Sequence, residues 1–278
     1  MKMRILYGYE TEESRDGMFD NGTRCVLERN PLIEVICQLR FPDILKIETA
    51  EPADFQDAIR ADYPGYQKQV EQLPPKVENG RAVAQGTVNN HHFLSADGQW
   101  KISLTKNFIA LSTRRYDRWE TFANRLDAIL AAFIKVYAPA FFVRVGLRYI
   151  NAVNRAALEL EDVSWRELIR PGYLGLMGEE DAAEQAFAKC EQSVTVNMPG
   201  GSKANIKSGP GTLRKVDNRT GKSEQTQVFL LDIDLFMEGN TPINLAVPAL
   251  NVVHQNAGSI FRGAVSDTLL AAMGAQEV

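Results

Sequence analysis

Ile33-Glu34-Val35-Ile36-Cys37-Gln38-Leu39-Arg40-Phe41 puts an apolar side chain at every odd position. Its even positions are polar except for Ile36. Successive side chains of a strand point to opposite faces, so this alternation marks a strand with one buried face. Val143-Arg144-Val145-Gly146-Leu147-Arg148-Tyr149 repeats the pattern. The endings Leu39-Arg40-Phe41 and Leu147-Arg148-Tyr149 match residue for residue in type.

The echo continues downstream. Asp54-Phe55-Gln56-Asp57-Ala58-Ile59-Arg60 and Ser164-Trp165-Arg166-Glu167-Leu168-Ile169-Arg170 are short amphipathic helices. Phe55 and Ile59, four apart, share one helix face. Each helix runs into a Pro-Gly-Tyr turn, at 64–66 and 171–173. In the first half, strands are expected over 82–94, 100–104 and 108–115, with hairpins at Asp97-Gly98 and Lys106-Asn107. A long helix spans 116–137, its stripe made by Phe122, Leu126, Ile129, Leu130 and Phe133 and its end by Pro139. Asp117 is expected to cap its start. In the second half, strands are expected over 191–198, 212–216 and 225–236, with a hairpin tip at 217–221. A helix inserted over 179–189 and a closing helix over 247–273 complete it.

Both halves therefore read β-α-β-β-β-α, and internal repetition sets an architecture before any motif does. The fold class expected is α+β: a duplicated unit of antiparallel sheet with a long helix on one face. Residues 1–30 form an N-terminal extension, 31–139 repeat one and 140–278 repeat two. Leu111 to Tyr116 matches Leu231 to Phe236 without a gap, with apolar positions in phase. The element order resembles the TATA-binding-protein-like and helix-grip folds, in which the long helix crosses one face of a curved antiparallel sheet. Two such units side by side would make a continuous saddle.

Three segments also resemble a known group: 30–42, Arg144-Val145-Gly146-Leu147-Arg148-Tyr149-Ile150-Asn151, and Phe261-Arg262-Gly263-Ala264-Val265-Ser266-Asp267. The group is the sporadically distributed family of uncharacterised bacterial and archaeal proteins of similar length. It carries no assigned activity. Its patchy distribution implies an accessory role in mobile or defence-type systems.

Composition narrows the classes. The 278 residues are 45% hydrophobic and 24% charged, ordinary values for a globular chain with a sizeable core. A net charge of −4 disfavours nucleic acid as the general partner. Three scattered cysteines, Cys25, Cys37 and Cys190, have no metal-site spacing. The start lacks the apolar core of a signal peptide, and no apolar run is long enough to span a membrane. A cytoplasmic protein with no membrane partner and no cofactor is the expectation.

No catalytic signature occurs. Gly200-Gly201-Ser202-Lys203 and Ser208-Gly209-Pro210-Gly211 lie among strands and read as connecting loops rather than phosphate loops. His91-His92, adjacent on a strand, cannot face one site together. They read as hairpin-end histidines in contact with water, and His254 as a flanking residue of the closing helix. Arg114, Arg115 and Arg118 with Tyr116 and Trp119 make a local basic spot that suits nucleic acid only weakly.

Alternation assigns the candidate site. Odd positions of the first strands should meet the helices, leaving Gln38, Arg40, Arg144 and Arg148 on the other face. The same phase puts Ser112, Arg114, Asp232 and Asp234 there. Forked guanidinium groups on an open sheet suit phosphate or carboxylate. Cross-strand ion pairing of Arg148 with Asp232 or Asp234 is the commoner outcome. The expected role is a non-catalytic binding or regulatory protein whose partner is another protein or a small anionic ligand. The alternatives are nucleotide or nucleic-acid binding through the arginines, and a metal-dependent hydrolase built on Asp232 and Asp234.

Overall fold

The computed structural model describes residues 19, 22–72, 75–78, 80–83, 86–216 and 223–277. Its strands are β1 (Cys25–Leu27), β2 (Leu32–Arg40), β3 (Gly65–Gln72), β4 (Lys76–Glu78), β5 (Arg81–Val83), β6 (Thr87–Leu94), β7 (Trp100–Thr105), β8 (Phe108–Thr113), β9 (Phe142–Val153), β10 (Gln192–Met198), β11 (Ser202–Val216), β12 (Ser223–Thr241) and β13 (Ala275–Glu277). Its helices are α1 (Leu45–Thr49), α2 (Ala53–Ile59), α3 (Trp119–Tyr137), α4 (Trp165–Leu168), α5 (Ala246–Ala264) and α6 (Asp267–Ala272).

Nine strands form one antiparallel sheet in the order β10-β11-β12-β9-β2-β8-β7-β6-β3. The fold class is thus mixed α+β. β2 and β9 meet at its centre, with Val35 against Tyr149, Cys37 against Leu147 and Leu39 against Val145. All six of these side chains are buried. Directly opposed residues of a ladder share a face, so the alternation read in each strand becomes one continuous apolar surface. Further residues of that surface are Leu111 and Ile109 on β8, Ile102 and Leu104 on β7, and Ile233 and Leu235 on β12.

Helices cover this surface. The stripe of α3, from Trp119 to Phe133, is buried. Phe133 meets Phe41 and Phe55, and Phe122 meets Trp100. α5 buries Leu250, Val253, Ala257 and Ile260 and packs on β9 and β12. Each of the large apolar side chains among these contributes about 1.5–3 kcal/mol on burial, before the entropy of ordering it.

Several expectations change. The closing helix is broken: Val265 is extended, and the Ser266 hydroxyl accepts a hydrogen bond from the Leu269 N–H at 3.2 Å to cap α6. A serine able to cap offers the backbone an alternative to continuing the helix. α3 begins at Trp119 with Arg118 in the cap position; Asp117 instead accepts from the Thr121 hydroxyl at 3.0 Å. The inserted helix over 179–189 is absent, and only a 3₁₀ turn at Glu184–Ala186 forms there. The expected strand over 82–94 is two, β5 and β6. The Pro-Gly-Tyr at 64–66 enters an unexpected strand, β3, whose Gln67, Lys68, Gln69 and Glu71 carry no alternation because this edge strand is largely exposed on both faces. α1 was likewise not legible in the sequence.

Ser208-Gly209-Pro210-Gly211 is no loop, since it lies inside the 15-residue strand β11. Gly209 holds φ +155°, and a Cβ there would fall 2.2 Å from the Cys190 carbonyl oxygen, so close backbone approach explains the glycine. The hairpin tip at 217–221 lies outside the described residues, as does most of the 1–30 extension. Within that extension β1 pairs with β13, tying residues 25–27 to residues 275–277.

Candidate functional site

The predicted open-face residues fall into two groups. Arg148, opposite Ile36 on one side and Asp234 on the other, sits with Ser112 in a single row across four strands. Its fork engages Asp232, with Nε donating to Oδ1 at 2.7 Å and Nη2 to Oδ2 at 2.5 Å. Arg144 donates from Nη2 to both oxygens of Asp234, at 2.8 and 3.0 Å. Its Nη1 reaches the Gln38 Oε1 at 3.5 Å, and its guanidinium lies 4.7 Å over the Phe236 ring. The structure therefore brings together Gln38, Arg144, Arg148, Asp232 and Asp234, as two ion pairs. Arg40 is exposed opposite Arg144. Arg114 is exposed just beyond the end of β8 and does not join them.

Both carboxylates are engaged by guanidinium. Among the described residues no group of three or more His, Cys, Asp or Glu is placed to hold a metal ion.

His91 and His92 do face opposite ways, but neither is bathed in water. Their exposures are 1% and 6%. His91 lies between the Tyr66 hydroxyl (Nδ1, 2.9 Å) and the Ile47 carbonyl (Nε2, 3.3 Å). His92 lies between the Ser103 hydroxyl and the Gln69 amide oxygen, at 3.0 and 3.2 Å. Burial pushes both imidazoles below their ordinary pKa.

A second site lies on the other face of the sheet. A cleft of about 630 Å³ opens at the β2–β9 seam, on the face that carries the helices. Its floor is Leu32, Tyr149, Asn151 and Ile233. One wall is the entry to α3, from Tyr116 to Trp119, and another is the α5 stretch from Asn251 to Arg262. Residues 24–27 close a third side, where Arg24 donates to both Glu120 oxygens at 2.6 and 3.1 Å. That guanidinium holds the Glu120 carboxyl down at about 2.

His254 is central to the cleft. Its ring stacks on Trp119 at 4.4 Å between centroids and 10° between planes. Its Nδ1 is 2.8 Å from the Tyr149 hydroxyl. Burial, reinforced by Arg24, lowers its pKa to about 4, so the ring is neutral at physiological pH. A phenol is a good donor and an imine nitrogen a good acceptor, so Tyr149 donates to Nδ1 and the ring proton sits on Nε2. The Tyr149 ring meets the Tyr116 ring edge-on, 5.8 Å between centroids, and burial raises the pKa of both phenols. The Trp119 indole N–H donates to the Asn251 Oδ1 at 3.4 Å.

The signal for this site was faint. Asn251, His254 and Gln255 interrupt the apolar run of α5 at helical spacing, and Tyr116 and Trp119 lie in the local basic spot with Arg114, Arg115 and Arg118. Nothing local joins them to Tyr149 or Arg24. No family model matches the chain, and no curated protein matches it. No described helix is long and apolar enough to cross a membrane.

Proposed function

We propose that the chain is a binding protein whose ligand sits in the seam cleft. The cleft itself carries this reading. About 630 Å³ lies within the range of small-molecule sites, and mixed apolar and hydrogen-bonding walls are what such sites use to hold and orient a ligand. A regulatory, non-catalytic role as accessory to a mobile or defence-type bacterial system accords with the resemblance of the three segments, and belongs to the same proposal.

The proposal includes an internal duplication. The step from Leu39 to Leu147 also takes Gln38 to Gly146, and these two face each other in the ladder, where a two-fold axis between halves would pass. On either side the sheet continues through three strands, β8-β7-β6 and β12-β11-β10, with β3 beyond β6. α3 and α5 are each 19 residues long. All three support a duplicated unit of the TATA-binding-protein-like or helix-grip kind. The gapless match of the last strands needs adjustment: Leu111 faces Cys37, whereas the residue facing Val145 is Met237, not Leu231. The slip is an even number of residues, so the faces are kept while Arg114 and Asp234 cease to correspond.

Nucleotide or nucleic-acid binding on the open face is the weaker reading, because Arg144 and Arg148 are already engaged by Asp234 and Asp232. A hydrolase built on those aspartates would first have to free them.

The test is a thermal-shift screen of small metabolites on the wild type and on Gln255→Trp, an exposed position at the cleft whose enlargement obstructs it. Compounds that raise the Tm of the wild type and leave Gln255→Trp unmoved are expected. If no compound does so, or the shifts persist in the obstructed variant, the cleft is not the ligand site.

A further inference from the structure

We infer that the seam cleft selects small organic anions, a carboxylate or phosphate group being held by the donors of α5 and Arg118 while an organic body rests on the apolar floor. This deepens the cleft reading and rests on it.

The donors are specific. With Tyr149 donating to Nδ1, the only proton on the neutral His254 ring is the one on Nε2, and no protein acceptor is hydrogen-bonded to Nε2 among the described residues. The Asn251 amide uses its oxygen on the Trp119 indole, which leaves its NH₂ as a donor. Asn251 and His254 are three apart on α5 and present these groups on neighbouring turns. Arg118 is exposed at the edge of the cleft, with no ion pair among the described residues.

The carboxylates at the cleft, by contrast, are already engaged. Glu120, beside it, is engaged by Arg24. The Asp117 oxygens accept from the Arg118 backbone N–H at 2.6 Å and the Thr121 hydroxyl at 3.0 Å. Among the described residues a cationic ligand would find no free carboxylate at the cleft, whereas an anion meets three donors, one of them charged. Hydrogen bonds to an ionised acceptor are stronger than neutral ones, so donors grouped at one end of the cleft favour an anion over a neutral group of the same shape. Leu32, Ile233 and the Tyr149 ring supply apolar floor for the rest of the molecule.

The 278-residue chain is titrated at pH 7 with two matched pairs: indole-3-acetate against indole-3-acetamide, and phenyl phosphate against phenol. The readout is the NMR signal of the Trp119 indole N–H, which reports on the cleft. At least one anion is expected to bind about ten-fold more tightly than its neutral partner, and the better pair tells carboxylate from phosphate. Arg118→Gln, a surface change that leaves the core untouched, and His254→Phe should each erase most of that preference without weakening the neutral probe. Neutral partners that bind as tightly as the anions, or a preference unchanged in Arg118→Gln, overturn anion selectivity and leave the cleft reading standing. If no probe of either kind moves the Trp119 signal, both fall.

Discussion

The guanidinium of Arg144 reaches Asp234 by lying across the backbone of Gly146. A Cβ on Gly146 would fall 2.1 Å from the Arg144 Nη1. Gly146 stands opposite Phe236, whose ring lies under the same guanidinium. The glycine thus leaves room for an ion pair that runs diagonally over the sheet.

Gly146→Ala should displace the tip of Arg144, a flexible end, rather than the strand. The pair is only partly buried, with side-chain exposures of 17% and 29%, so the expected loss is modest, about 1 kcal/mol. A double-mutant cycle with Arg144→Met and Asp234→Asn, read by urea unfolding, should give a coupling energy in the wild type. That coupling should collapse toward zero in the Gly146→Ala background. An undiminished coupling would show that the guanidinium takes another path.

His254 should make stability depend on pH. Its folded pKa, about 4, lies below its ordinary 6.5, so the unfolded chain binds the extra proton first. The stabilisation from keeping this ring neutral is full above pH 6.5. It is lost as pH falls through the window from 6.5 to about 4, and amounts to at most about 3 kcal/mol. Urea unfolding at pH 7, 5.5 and 4.5 should show the wild type losing stability faster than His254→Gln on acidification. Parallel pH profiles for the two proteins would refute the burial argument.

Cys37 should be chemically silent in the folded protein. Its side chain is wholly buried at the seam, and burial raises its pKa well above the ordinary thiol range, leaving almost no thiolate to react. Cys25 and Cys190 are partly accessible. Ellman's reagent should therefore modify two thiols in native protein, and the third only at the rate of global unfolding. Rapid modification of all three without denaturant would place Cys37 outside the core.

Much of the central sheet was legible because its signal is local. The odd positions of 33–41 and 143–149 needed only the two-residue period of a strand to predict which side chains meet the helices. Val35, Cys37, Leu39, Val145, Leu147 and Tyr149 are all buried. The ion pairing of Arg148 with Asp232 followed from the same period plus common cross-strand chemistry. β3 left no trace because an exposed edge strand has no face to bury, and the break before α6 was masked because apolar residues recur at helical spacing across it, at Phe261, Val265 and Leu269.

The sequence by itself determined the alternation, the two long helices and the polarity of each face, since each depends on side chains within a few residues of one another. Only the tertiary structure decided the register that sets Gln38 against Gly146, the diagonal reach of Arg144, and the cleft. The cleft gathers Arg24, Trp119, Tyr149 and His254 from segments far apart in the chain. Such a site is produced by packing, because its shape and its free donors exist only once the elements that carry them have met.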